Sequence, residues 1–288
     1  DNVLLLDIAE WSEDGVTYNE AEEVLRIDAA IRAKHNLPFA NGKDIQPWAM
    51  EPENPSIFPH LRFTFESNCE IPVRFGFEEA EEIIFNGERL KISADGYYVD
   101  KSIHTIKLGL TKKGKNELVV KVPVSNRLSI EAFYLLGDFD VSVSGCSCRI
   151  SLPSDKIGFG SITNQGMPFY GGNILYKAEF ETDTDGTAEI EICHYRGALL
   201  EVSVDGGEYK RLAFAPYTVS FDNVCAGRHT LNVRFFGNRN NTFGSLHMCD
   251  AHEDWLGPDA WYKKGSKWSY EHMLLKTGVL STPVIKIR

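Results

Sequence analysis

Val202-Ser203-Val204-Asp205-Gly206-Gly207, followed by Tyr217 to Phe221, Ala226-Gly227-Arg228 and Leu231-Asn232-Val233-Arg234-Phe235, decides the fold. Apolar and polar residues alternate with a period of two, the pattern of strands buried on one face. Asp205-Gly206 marks a tight turn, because both residue types tolerate positive φ. The same order stands earlier in the chain. There Ile83-Ile84-Phe85 runs into Asn86-Gly87, Tyr97-Tyr98-Val99 and Thr105 to Leu108 follow, Lys113-Gly114-Lys115-Asn116 turns, and Leu118-Val119-Val120-Lys121-Val122 closes. Each copy opens on paired strands: Leu61, Phe63 and Phe65 with Val73, Phe75 and Phe77, and later Ile174 to Phe180 with Ala188 to Ile192. After the closing strand both copies carry Asn-Arg, at Asn126-Arg127 and Asn238-Arg239. These arginines lie 13 and 12 residues beyond the turn glycines Gly114 and Gly227. Short strands and turns in a repeated order predict a duplicated antiparallel sandwich, with a first copy over 59–150 and a second over 151–288.

The copies part after Asn-Arg. In the first, an apolar strand (Phe133 to Val143) follows almost at once. In the second, the matching strand is Gly278 to Ile287, roughly thirty residues later by comparison. The inserted stretch, 238–270, holds three of the five tryptophans and two of the eight histidines, with neither strand nor helix periodicity. A long irregular loop on a rigid sandwich is a place where binding chemistry is commonly carried.

Working back to the beginning, Val3-Leu4-Leu5-Leu6 reads as a short strand. Asn19 with Glu22 reads as a capping box, and Val24, Ile27 and Ile31 predict one helix from about Glu20 to Lys34, ended before Pro38. The proline-rich segment from Phe39 to Pro59 reads as an extended connector. Residues 1–58 are thus expected to form a strap with one helix, ahead of the first sandwich. The chain starts Asp1-Asn2-Val3 without methionine and is expected to be a piece of a longer protein.

The 288 residues suffice for two cores, and 43% apolar with 25% charged residues is a globular composition. A net charge of −11 speaks against nucleic acid and against an anionic membrane surface. No apolar run reaches the roughly 20 residues of a membrane-spanning helix. The six cysteines show no CxxC pair, and Cys146 and Cys148 are poorly placed to bridge each other within a strand. They are expected to be buried free thiols, which leans towards a reducing compartment such as the cytoplasm.

Sugar recognition needs flat aromatic faces for ring C–H groups, with amide, carboxylate and guanidinium groups for hydroxyls. Trp255, Trp261, Tyr262 and Trp268 can supply faces; Arg239, Asn240, Asn241, His247 and Asp250 can supply hydrogen bonds. The competing reading makes the tryptophans pegs that anchor the loop, and at least one is expected to be such a peg. His247-Met248-Cys249-Asp250-Ala251-His252-Glu253-Asp254 has a zinc-like composition, but a second ligand group is not apparent, and no metal ligand is assigned. Gly166-Met167-Pro168-Phe169-Tyr170-Gly171-Gly172-Asn173 lacks a following helix and a Lys-Ser/Thr pair, so it is no phosphate cradle and no cofactor is expected. There is no nucleophile elbow, and Glu78-Glu79-Ala80-Glu81-Glu82 reads as a solvated acidic face.

The strand order, with Val/Ile-x-Asn/Asp-Gly and later Gly-x-Asn/His-x-Leu-x-Val, resembles the galactose-binding-like jelly roll. It is similar in particular to the sugar-binding-domain sandwiches of glycoside hydrolase family 2 and of bacterial α-L-rhamnosidase-like proteins. Tyr134-Leu135-Leu136-Gly137-Asp138-Phe139, the Gly166 to Asn173 segment, Asn238 to His247 with Trp255-Leu256-Gly257-Pro258 and Trp261, and Asn2-Val3-Leu4-Leu5-Leu6-Asp7 all resemble parts of those proteins. The resemblance implies an all-β fold of two such jelly rolls in a non-catalytic, C-terminal accessory region. It implies carbohydrate as ligand, a catalytic domain elsewhere in the parent chain, and the possibility of a structural calcium whose ligands no loop spacing names. This sequence has no alternating strands and helices for a (β/α)₈ barrel, so the catalytic carboxylate pair is expected elsewhere. Two further readings stand beside this one: a scaffold bracing the catalytic barrel or forming a homo-oligomer, and a free-standing enzyme using His247, Asp250 and Glu253.

Overall fold

A computed structural model describes residues 1–38, 50–249 and 263–288. The fold is all-β, in two compact units: Asp1–Pro153 with Ser245–Met273, and Ser154–Gly244 with Leu274–Arg288. Among the described residues no helix is long and apolar enough to cross a membrane.

In the first unit one sheet runs in the order Asn2–Leu6, Phe133–Gly137, Pro72–Phe77, Asp100–Leu110 and Gly96–Tyr98. The other is centred on Gly114–Lys121, which lies between His60–Ser67 and Glu82–Phe85. The two sheets meet through aromatic side chains. Phe63 from one and Phe133 from the other have ring centroids 5.4 Å apart, and Phe75 stacks on Phe133 at 5.5 Å. The alternation in the sequence is the alternation of burial: Leu61, Phe63 and Phe65 point inward with polar residues between them.

The second unit repeats this pairing. Ile174–Thr182, Gly227–Phe236, Leu199–Val204 and Lys210–Leu212 form one sheet in that order; Thr218–Val224, Gly186–Glu191 and Val284–Ile287 form the other. Strand for strand this is the order His60–Ser67, Gly114–Lys121, Glu82–Phe85, Glu88–Leu90 and the order Asp100–Leu110, Pro72–Phe77, Phe133–Gly137. The expected partner for Phe133–Gly137 in the second copy, Gly278 to Ile287, thus contains the strand in that position. The repeat extends to single hydrogen bonds. Asn86 N donates to Glu117 O at 2.8 Å and its side-chain oxygen accepts from Glu117 N at 3.1 Å. Asp205 N donates to Thr230 O at 2.9 Å and its carboxylate accepts from Thr230 N at 2.8 Å. Both residues and the glycines after them have positive φ, the backbone that Asn-Gly and Asp-Gly pairs signal.

Three expectations are corrected. Within the stretch expected as a strap, 1–58, the described strands join the first sandwich: Asn2–Leu6 pairs with Phe133–Gly137, and Ile8–Ser12 pairs with both Asn19–Glu23 and His60–Ser67. The cause is hydrophobic, since Val3 to Leu6 are all buried and need cover on both faces. The helix spans Val24–His35 rather than starting near Glu20, because Asn19–Glu23 is drawn into a strand. Its N-cap is Glu23, whose carboxylate accepts from the amides of Leu25 and Arg26. All six cysteines are free, but Cys146, Cys193, Cys225 and Cys249 are exposed rather than buried.

Candidate functional site

The inserted stretch starts in the second unit, up to Gly244, but its described residues from Ser245 onward, on both sides, are built into the first unit. They close on each other as an antiparallel pair. Met248 bridges Trp268, Cys249 N donates to Lys267 O at 2.9 Å, and Ser269 N donates to His247 O at 2.8 Å. Met273 N donates to Leu246 O at 2.6 Å, extending the contact.

Beneath this base lies a buried polar cluster. Asp7 directly follows the apolar strand Asn2–Leu6, so its carboxylate is delivered at the edge of the core. Its backbone carbonyl accepts from Val24 N at 2.8 Å, tying it to the start of the helix. The carboxylate faces two imidazoles: His247 Nε2 lies 3.1 Å from Oδ2, and His272 Nε2 lies 3.0 Å from Oδ1. The side chains of Asp7, His247 and His272 are 8%, 9% and 1% exposed. The opposite nitrogen of His247, Nδ1, lies 2.8 Å from Ser269 O. A carbonyl can only accept, so Nδ1 is the donor to Ser269. Nε2 is left facing the Asp7 carboxylate, which favours the charged form of the imidazole. Burial by itself would raise the Asp7 carboxyl, but the charge of His272 and hydrogen bonds from both histidines hold it well below the usual range. Burial would likewise lower His247, and the Asp7 hydrogen bond and charge reverse this and raise it. Glu23, the helix cap, is pushed up to about 7 by burial, with the nearby Asp7 charge adding to the effect.

A second contact fixes the base from the helix side. The guanidinium of Arg26 sits 4.3 Å over the Trp268 ring, donates to Lys263 O at 2.7 Å, and pairs with Glu22 at 2.9 Å. Tyr270 packs edge-on to Trp268 at 4.5 Å and donates its hydroxyl to Glu22. The His247 ring stacks on Trp268 at 5.6 Å.

The structure thus brings together His247 and Trp268 of the residues read as sugar contacts, and gives both an anchoring place. His247 is turned inward with both ring nitrogens engaged, and the half-buried Trp268 is packed against Arg26 and His247. Arg239 and Asn240 are exposed at the start of a short helical turn, Asn240–Phe243, in the second unit. Asn241 there is buried and exchanges hydrogen bonds with the backbone of Leu275. Asp250, Glu253, Trp255, Trp261 and Tyr262 lie outside the described residues. Asp7, Glu23, Arg26 and His272 escaped the sequence reading. Only Asp7 had a signal, a carboxylate placed at once after the apolar run Val3 to Leu6.

The second unit carries an open groove of about 350 Å³, lined by Ser161, Asn164, His194, Lys276, Leu280 and Ser281. It offers hydroxyl, amide, imidazole and ammonium groups, and among the described residues its lining has no phenylalanine, tyrosine or tryptophan.

No protein-family model matches the chain. No curated protein matches it. Among solved structures it is similar to a rhamnosidase from Novosphingobium sp. PP1Y, with 14% identity and a TM-score of 0.32 over 90% of this chain and 26% of that one. An exo-chitosanase from Amycolatopsis orientalis, in complex with PNP-beta-D-glucosamine, matches at 10% identity and a TM-score of 0.33, over 83% of this chain and 29% of that one. A GH2 beta-galacturonidase from Eisenbergiella tayi bound to galacturonate matches at 10% identity and a TM-score of 0.26, over 80% and 36%. The chain spans roughly a quarter to a third of the length of these proteins. At such scores the matches assign no residue of this chain a role.

Proposed function

We propose that this chain is a non-catalytic, carbohydrate-recognising accessory region of a glycoside hydrolase. In this reading Trp255, Trp261, Tyr262 and Asp250 supply the sugar contacts, and the catalytic domain lies elsewhere in the parent protein. The observation that carries the reading is the closed base of the inserted segment. Met248 and Trp268 bridge, and the buried Asp7, His247 and His272 cluster holds both flanks to a rigid sandwich. An aromatic-rich segment held at both ends loses less conformational freedom on meeting a ligand, which is how rigid scaffolds make loops into binding sites. The resemblance of the strand motifs to sugar-binding sandwiches supplies the ligand class.

A tryptophan-fluorescence titration with rhamnose, galactose, their uronic acids and plant-wall oligosaccharides tests it. A saturable change with one sugar class, lost in Trp261→Ala and Trp255→Ala, is the expected result. A flat response across the panel, or affinity that survives both changes, overturns it. The packing of Trp268 under Arg26 favours a second reading, a brace for the catalytic domain that binds nothing, and a flat response would leave that reading standing.

A further inference from the structure

We propose that Asp7, His247 and His272 form a binding site for one divalent first-row metal ion of the zinc class, which locks the base of the inserted segment to the first sandwich. The donor set is two imidazole nitrogens and one carboxylate oxygen, all within 4.8 Å of one another. Two histidines with one carboxylate is a set that zinc and its first-row neighbours take, leaving an outer position for water. Calcium, which wants six to eight oxygens, does not suit it.

Three features make this more than a chance meeting of polar groups. Both histidines turn the same atom, Nε2, to the Asp7 carboxylate, at 3.1 and 3.0 Å, so a small closure lets all three donors share one ion. The other nitrogen of His247 is already committed to a backbone carbonyl, Ser269 O at 2.8 Å. That is the outer hydrogen bond by which metal-binding histidines fix their tautomer and orientation. The three side chains are 1–9% exposed, so an ion there is shielded from competing water and the ligands have little freedom to lose. On binding, the ion takes the place of the proton on Nε2 of each histidine that carries one there; the protons leave to solvent and Nδ1–H of His247 stays with Ser269. The ion would tie together the end of the Asn2–Leu6 strand and both flanks of the inserted segment, three places the chain itself separates widely.

The test uses the whole chain, stripped with a chelator and checked for retained β-structure by circular dichroism. Zinc is titrated by calorimetry, and cobalt(II) is added as a spectroscopic probe. One equivalent of each is expected per chain, with cobalt bands of a four-coordinate nitrogen/oxygen site and no thiolate charge-transfer band. His272→Ala and His247→Ala should each weaken binding at least tenfold, while Cys249→Ser, at the exposed thiol two residues from His247, leaves it unchanged. Absence of stoichiometric binding in the wild-type chain overturns the proposal and leaves a proton-bridged ion pair. A thiolate band, or binding that survives in His272→Ala, overturns it too. If the histidine variants do not fold, the wild-type stoichiometry and cobalt spectrum decide alone. None of these readouts involves sugar, so they stand or fall apart from the carbohydrate reading.

Discussion

His247 and Asp7 are 240 positions apart in the chain and 3.1 Å apart in the fold, with both side chains almost fully buried. A carboxylate and an imidazolium taken out of water together are tolerable as a pair, and either alone is not. Removing Asp7 therefore leaves two buried imidazoles facing an empty place. Asp7→Ala is expected to destabilise the first unit by about 3 kcal/mol or more. It should also release protection from hydrogen exchange at the Ser269 and Cys249 amides, which close the base of the inserted segment. Denaturant unfolding combined with exchange checks this. A loss under about 1 kcal/mol, with both amides still protected, would mean the pair is incidental.

Arg26 joins helix and segment by a different means. Its guanidinium lies over Trp268, binds Lys263 O and pairs with Glu22, so lost packing and lost charge act together. Arg26→Ala is expected to cost about 1–2 kcal/mol. It should red-shift the emission of Trp268, isolated as the difference from Trp268→Phe. Arg26→Lys should recover only part of this, because an ammonium cannot stack as a planar guanidinium does. Full recovery by lysine would show that charge alone matters.

The repeat of sandwich pairing was legible because it is local. Alternation in Leu61-Arg62-Phe63-Thr64-Phe65 and the Asn86-Gly87 and Asp205-Gly206 turns are written in consecutive residues, and each reappears as burial or positive φ. The anchoring cluster was not legible, because nothing within reach of Asp7 in sequence points to residues 247 and 272. His272 sits in Glu271-His272-Met273 with no periodicity to give it a face. The same limit explains the strap. Val3 to Leu6 announced a strand, but only the fold supplies Phe133–Gly137 as its partner.

Two glycines separate close packing from backbone freedom. A Cβ at Gly197 would run into the ring of Phe235, at the centre of the second unit's core, and into the carbonyl of Phe236 at 2.6 Å. A Cβ at Gly87 would meet nothing within 4 Å, but its φ is +89°. Gly197→Ala is expected to destabilise by about 2–3 kcal/mol through overpacking. Gly87→Ala should cost about 1 kcal/mol from the left-handed backbone. Equal costs in denaturant unfolding would contradict this division.

The last prediction uses the turn that the second copy builds with an acid where the first has an amide. Asp205 accepts from Thr230 N and also lies 2.7 Å from His229 Nδ1, while His229 Nε2 lies 2.7 Å from Cys225 O. The Asp205 hydrogen bond, then the Cys225 carbonyl, raise His229 above the ordinary histidine value. For Asp205, burial pulls upward, but the hydrogen bonds from His229 and Thr230 prevail and hold its carboxyl below the usual range. The signs follow by linkage. Stabilisation from raised His229 is complete below the ordinary histidine pKa and fades as pH rises through its elevated value. Stabilisation from lowered Asp205 is present above the ordinary carboxylate pKa and fades as pH falls through its depressed value. The pair thus contributes most between those two ordinary values, in mildly acidic solution. An NMR titration of His229 should give a pKa above the histidine reference of about 6.5, and Asp205→Asn should bring it back toward that reference. An unchanged His229 titration in Asp205→Asn would place the cause at the Cys225 carbonyl instead.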